Sequence, residues 1–114
     1  MMMDDKSQAE AYEKIAQELR RGILILAVLS QLGAETHGYA LMSTLADAGL
    51  VIDQGTLYPL LRRLESQGLL QSQWDTTGAR PRRYYVITPA GTDILTLLQQ
   101  DWQTLTAVMA RLFA

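Results

Sequence analysis

At 114 residues, 48% apolar and 19% charged, the chain holds about one domain and can bury a core, which excludes a large multidomain enzyme and wholesale disorder. Cysteine is absent and His37 is the single histidine, so a disulfide framework, a Cys-ligated zinc and a thiol nucleophile are excluded, and neither metal nor cofactor is expected. The formal net charge of −2 argues, taken alone, against a nucleic-acid partner.

The N-terminal Met1-Met2-Met3-Asp4-Asp5 lacks the basic and apolar regions of a signal peptide. The longest apolar run, Ile23 to Leu29, is far short of the ~20 residues of a membrane span. A cytoplasmic protein with no membrane partner is the expectation. From about Ser7 to Leu32 the residues favour helix, with Ser7 and Glu10 spaced as a capping box. Tyr12, Ile15, Ala16, Leu19, Ile23, Leu26, Ala27 and Ser30 follow one 3–4 stripe, predicted to be buried, and Gly33 follows as a stop.

A second helix is predicted from Thr36 or His37 to Ala48, with Thr36 as N-cap and Gly49 as its stop. Its inner face is Tyr39, Ala40, Leu41, Met42, Leu45 and Ala46. A third helix starts at Asp53 or Gln54, with Asp53 as N-cap, and ends before Gly68. Leu57, Leu60, Leu61 and Leu64 form its apolar stripe. Its other face carries Gly55, Thr56, Tyr58, Pro59, Arg62, Arg63 and Ser66. Pro59 should bend that helix or sit near its first turn.

Leu69–Thr76 and Arg82–Ile87 read as two strands around a Gly/Pro turn, a β-hairpin, with Trp74 expected in the core. Thr88-Pro89 starts a last helix. In it Leu95, Leu98, Trp102, Leu105, Met109 and Leu112 recur at the 3,4 spacing of a heptad seam. Ile94, Leu97 and Val108 flank the seam and are expected on the domain side. The seam either packs on the first helix or pairs with a second copy; self-association is the preferred reading.

The charge is uneven along this plan. Residues 54–83 carry Arg62, Arg63, Arg80, Arg82 and Arg83 against Glu65 and Asp75, net +3. Such a patch is either a phosphate footprint or a solvated face with ion pairs, Glu65 being expected to pair with Arg62. The fold class is mainly α with a small β-hairpin, in the order helix, helix, helix, hairpin, helix. That is the layout of a winged helix-turn-helix plus a C-terminal dimerisation helix. It divides into a winged helix-turn-helix DNA-binding domain with its N-terminal helix, residues 1–88, and the C-terminal helix, residues 89–114. A helix about 12 Å across fits the major groove. Arginine forks onto guanine or phosphate, and glutamine pairs with adenine. The candidate DNA-contacting residues are Gln54, Gly55, Thr56, Tyr58, Arg62, Arg63, Arg80, Arg82 and Arg83. The candidate dimer residues are Leu95, Leu98, Trp102, Leu105, Met109 and Leu112.

The run Gly55-Thr56-Leu57-Tyr58-Pro59-Leu60-Leu61-Arg62-Arg63-Leu64-Glu65, with Gly68-Leu69, resembles the recognition-helix signature of PadR-type transcriptional regulators. His37-Gly38-Tyr39 and Arg82-Arg83-Tyr84-Tyr85-Val86-Ile87-Thr88-Pro89-Ala90-Gly91 resemble the same family, and the similarity spans about residues 19–112. Asp53 departs from the small polar residue more usual there. The resemblance implies a homodimeric repressor of double-stranded DNA with a palindromic operator, joined through its C-terminal helix. It further implies a site for a small aromatic effector at the dimer interface, where Trp102 would stack a planar compound, the alternative being an ordinary seam tryptophan; Asp101 beside it either holds a cationic group or is simply solvated. His37 either touches phosphate or caps and packs. The competing function is a winged-helix module that binds another protein. A small enzyme lacks both nucleophile–base pair and metal cluster.

Overall fold

A computed structural model describes residues 5–114. The reading of Met1–Asp4 as no signal peptide lies outside the described residues. Helix α1 (Asp5–Ser30) leads to a short strand β1 (Thr36–His37), then α2 (Gly38–Asp47) and α3 (Gln54–Ser66). Strands β2 (Leu70–Asp75) and β3 (Arg82–Ile87) follow, and α4 (Pro89–Phe113) closes the chain.

Helix ends are set by the residues that satisfy their free backbone groups. At α3 the Asp53 carboxylate accepts from Thr56 N–H at 3.2 Å, as a cap should. Gly68 ends that helix with φ of 79°, a left-handed turn that costs glycine little. Its N–H donates to Glu65 O at 2.9 Å and Leu69 N–H to Leu64 O at 3.0 Å. At α4, Thr88 Oγ1 accepts from Gly91 N–H at 3.0 Å and donates to Gly68 O at 2.7 Å, tying the start of α4 to the end of α3.

Two helix starts and the sheet differ from expectation. Ser7 lies inside α1 and is not its cap, because the helix already runs at Asp5. Thr36 is not the cap of α2: it is in β1, its hydroxyl donating to Ala34 O at 2.9 Å, and His37 precedes the helix with no side-chain cap. The sheet has three antiparallel strands, order β1-β3-β2, rather than two; Thr36 pairs with Tyr85 and His37 with Tyr84. A two-residue strand has no periodicity to read.

The core gathers Val28, Leu29 and Leu32 with Leu41, Leu45, Ile52, Leu57, Leu61, Leu64, Leu70 and Tyr85. Removing one such leucine to alanine costs about 2–5 kcal/mol. Leu24, Ile25, Leu60, Leu95 and Leu98 pack against it. This core is short, and α1 and α4 both outrun it. Tyr12, Ile15 and Leu19, expected to be buried, are therefore exposed. So are Tyr39 on α2 and Trp74 on β2. On α4, Leu95 and Leu98 face the core while Trp102, Leu105, Met109 and Leu112 are exposed, as are the flanking Ile94 and Leu97. The extents are 60 × 33 × 25 Å and the radius of gyration is 17.1 Å, against about 13 Å for a compact chain of this size. The architecture is a winged helix-turn-helix with two long helices projecting from it.

Candidate nucleic-acid interface

The site begins with the two faces of α3. Leu57, Leu61 and Leu64 recur at 4 and 3 residues and are buried. That turns Gln54, Gly55, Thr56, Pro59, Arg62 and Arg63 to the exposed side. Pro59 stands inside the helix without breaking it. It removes the N–H that would reach the Gly55 carbonyl, and Gly55 is exposed, so water can take that place. Asp53, the residue that departs from the family pattern, is used as the cap of this helix.

Tyr58 is half-buried, and its ring lies directly on Gly38 at the start of α2. A Cβ at Gly38 would collide with that ring. The contact fixes how closely α2 and α3 approach, and it gives the glycine of His37-Gly38-Tyr39 a physical reason.

The wing is the β2–β3 ladder, with Trp74 opposite Arg83 and Asp75 opposite Arg82. Asp75 accepts from Thr77 N–H at 3.0 Å and from its hydroxyl at 2.6 Å, which starts the turn at the wing tip. These bonds hold the Asp75 carboxyl below its ordinary 3.8, with His37 adding a smaller pull. Between the start of α2, α3 and the wing lies a groove of 620 Å³. It brings Tyr58 and Arg62 of α3 together with Arg80, Arg82 and Arg83 of the wing. Gln54, Gly55, Thr56 and Arg63 stand on the exposed face of α3 beyond the groove lining.

Arg83 is placed differently from the other arginines. Its Nη2 donates to Glu65 Oε1 at 3.0 Å and its Nε to Ser72 Oγ at 2.8 Å. The Ser72 hydroxyl donates in turn to Glu65 Oε2 at 2.6 Å. The guanidinium carbon also lies 5.7 Å from the ring centres of both Trp74 and Tyr85. Glu65 therefore pairs with Arg83 across the fold and not with Arg62 along the helix. Burial pushes the Tyr85 phenol above its ordinary 10.0, the Arg83 charge opposing it.

His37 packs rather than projecting. Its ring meets Tyr84 edge-on at 5.6 Å, and Nε2 lies 3.5 Å from Asp75 Oδ2. Sequence reasoning missed the Glu65–Ser72–Arg83 cycle, the Gly38–Tyr58 contact and the His37–Asp75 approach. Each joins residues too far apart in sequence for any helix or strand period to reveal. On α4, Asp101 and Trp102 are adjacent and exposed, Trp102 at 45%. Among the described residues no helix is long and apolar enough to cross a membrane, and no three acidic or His side chains are grouped to hold a metal.

The family model of the PadR-like transcriptional regulators matches residues 25–97, which takes in the whole helix-turn-helix and wing. Transcriptional regulator Rv3488 of Mycobacterium tuberculosis is 41% identical over 81 residues, 70% of this chain and 76% of that protein. The crystal structure of a PadR family transcriptional regulator from Eggerthella lenta superposes with a TM-score of 0.85 at 44% identity, covering 95% of this chain and 96% of that one. A PadR-like transcriptional regulator of Bacillus cereus keeps a TM-score of 0.74 at 26% identity, covering 84% and 96%, so the architecture outlasts most of the sequence. These relatives are transcriptional regulators and not enzymes. With its winged helix, its arginine-lined groove and these relatives, the chain belongs to the PadR family of DNA-binding transcriptional regulators.

Proposed function

We propose that the protein is a homodimeric repressor that occupies a palindromic operator. Residues 5–88 form the DNA-binding unit and α4 supplies the dimer contact. The gathering of Arg62, Arg80 and Arg82 around one groove beside the exposed face of α3 is the observation that carries the DNA-contacting surface. In this reading Gln54, Gly55, Thr56, Tyr58, Arg62 and Arg63 meet the major groove, and Arg80 and Arg82 meet the backbone beside it. The dimer rests on the exposed Trp102, Leu105, Met109 and Leu112, which one chain leaves uncovered. Leu95 and Leu98, which pack on the core, anchor the domain end of that seam, and exposed Tyr12, Ile15 and Leu19 of α1 offer further apolar cover. As a repressor the protein works beside its DNA, in the cytoplasm.

The experiment is binding to the DNA upstream of the protein's own gene, beside a shuffled duplex, at two salt concentrations. Tight, salt-sensitive binding that prefers the upstream duplex supports a sequence-specific regulator. Equal, weak binding to both would overturn the operator assignment there and favour a protein partner. Repression itself is read by run-off transcription from that fragment, which the protein should reduce. Exposed Trp102 beside Asp101 supports a second element, release by a planar aromatic cation at the dimer interface. Quenching of Trp102 emission by such a compound, with loss of DNA binding, tests it; a Trp102→Ala protein that still responds would sink it.

A further inference from the structure

We infer that Arg83, Glu65 and Ser72 form a positioning clamp that sets the angle of the wing against the recognition helix, and that Arg83 contributes to DNA affinity through this geometry rather than by contacting phosphate. The inference rests on α3 and the wing being the DNA-contacting surface.

Three observations carry it. First, the hydrogen-bond cycle is closed. Arg83 donates through Nη2 to Glu65 and through Nε to Ser72, and Ser72 donates to the other Glu65 oxygen. The bonds between Arg83, Glu65 and Ser72 join α3, β2 and β3. A guanidinium fork is rigid, so two bonds from one plane fix an angle as well as a distance. Second, the face is committed. Strand alternation puts Ser72, Trp74, Arg83 and Tyr85 on one side of the ladder, since Ser72 pairs with Tyr85 and Trp74 with Arg83. Arg83 lies over both aromatic rings there, which holds its stem in place. Third, the charge is already matched. Glu65 sits 3.0 Å from Nη2 and both side chains are partly shielded, so Arg83 brings little net charge toward a phosphate. Arg80 and Arg82 carry no such partner among the described ion pairs, and both are exposed.

The two roles differ in an observable. Deleting one phosphate-neutralising arginine lowers the slope of log K against log salt by about 0.9. A positioning residue weakens binding with the slope unchanged, because the groups that meet phosphate are the same in the competent geometry. Glu65 gives a sharper contrast. If it only repelled DNA, Glu65→Gln would tighten binding; as part of the clamp, the same change weakens it.

The test uses the full-length protein on the duplex from upstream of its own gene, with a random-sequence duplex in parallel. Binding is measured across a salt series for Arg62→Gln, Arg82→Gln, Arg83→Gln, Arg83→Lys and Glu65→Gln, after circular dichroism has confirmed that each is folded. Arg82→Gln should flatten the slope by about 0.9. Arg83→Gln and Glu65→Gln should each weaken binding about tenfold with the wild-type slope, as the competent wing angle becomes a minor population. Arg83→Lys keeps the charge and loses the fork, and should resemble Arg83→Gln. A second readout is Trp74 emission in a Trp102→Phe background, which should shift in Arg83→Gln without DNA. Should Arg83→Gln fail to fold, Ser72→Ala and Glu65→Gln carry the same prediction. A flattened slope in Arg83→Gln, rescue by Arg83→Lys, or tighter binding by Glu65→Gln would overturn the clamp. If Arg62→Gln and Arg82→Gln both bind both duplexes as the wild type does, the surface assignment fails instead.

Discussion

Single side chains divide here into those aimed outward and those that hold the frame. Arg62 lines the groove from α3 and Arg82 from the wing, and both are exposed. Arg62→Ala should cost about 1–3 kcal/mol on the preferred duplex and relax its specificity, whereas Arg82→Ala should weaken all sequences alike. Competition binding against shuffled DNA separates the two. Gly91 belongs to the frame. It is buried in the first turn of α4, and a Cβ there would strike the Leu69 carbonyl and Ile87. That carbonyl accepts from Thr88 N–H at 3.0 Å, so it cannot move freely. Gly91→Ala gains helix propensity but should still lose about 1–3 kcal/mol by urea denaturation, because the obstacle is backbone. Asp75 gives the residue scale its pH dependence. Its folded pKa lies below 3.8, so its bonds to Thr77 stabilise the wing turn above that value and are lost as pH falls through the lowered one. The Thr77 amide resonance should hold steady above about pH 5 and move only in acid; a shift near neutrality would contradict this assignment.

At the scale of elements, each helix reports how much of its length meets the core. α2 and α3 are short and lie against the sheet. α1 and α4 have 26 and 25 residues, and only part of each reaches the core. The periodicity of α1 predicted one buried stripe from Tyr12 to Ser30. The stripe is real as a pattern, but its first half has nothing to pack on within one chain. The seam of α4 behaves the same way: its first two leucines face the core and its last four members are uncovered. Periodicity states which face is apolar and not what covers it. Leu105→Asp, on the uncovered part, should halve the mass seen by light scattering and leave far-UV circular dichroism nearly unchanged. An unchanged mass would remove the seam as a dimer contact.

For the whole molecule, the radius of gyration exceeds that of a compact chain because two helices extend past the core. A symmetric dimer through those helices would present two copies of α3 to one side of a duplex. Half-sites would then lie about one helical turn, ~34 Å, apart or at multiples of it. Inserting half a turn of DNA between half-sites should abolish tight binding, and inserting a full turn should restore some of it. Equal binding to all three spacings, measured by mobility shift, would argue for independent monomers.

The amino-acid sequence by itself determined the order and extent of the long elements. Proline, glycine, aspartate and threonine at their ends act locally, and leucine spacing sets each helix face, so Asp53, Gly68 and Thr88 were readable as caps and stops. It also determined the family, since contiguous motifs carry that resemblance. The tertiary structure alone decided which arginine is free and which is held, that Thr36 and His37 add a third strand, that Gly38 must admit the Tyr58 ring, and where the core stops along α1 and α4. These depend on pairings such as Glu65 with Arg83, eighteen residues apart. No local rule links such residues, because the distance between them in space is fixed only when every intervening element has packed.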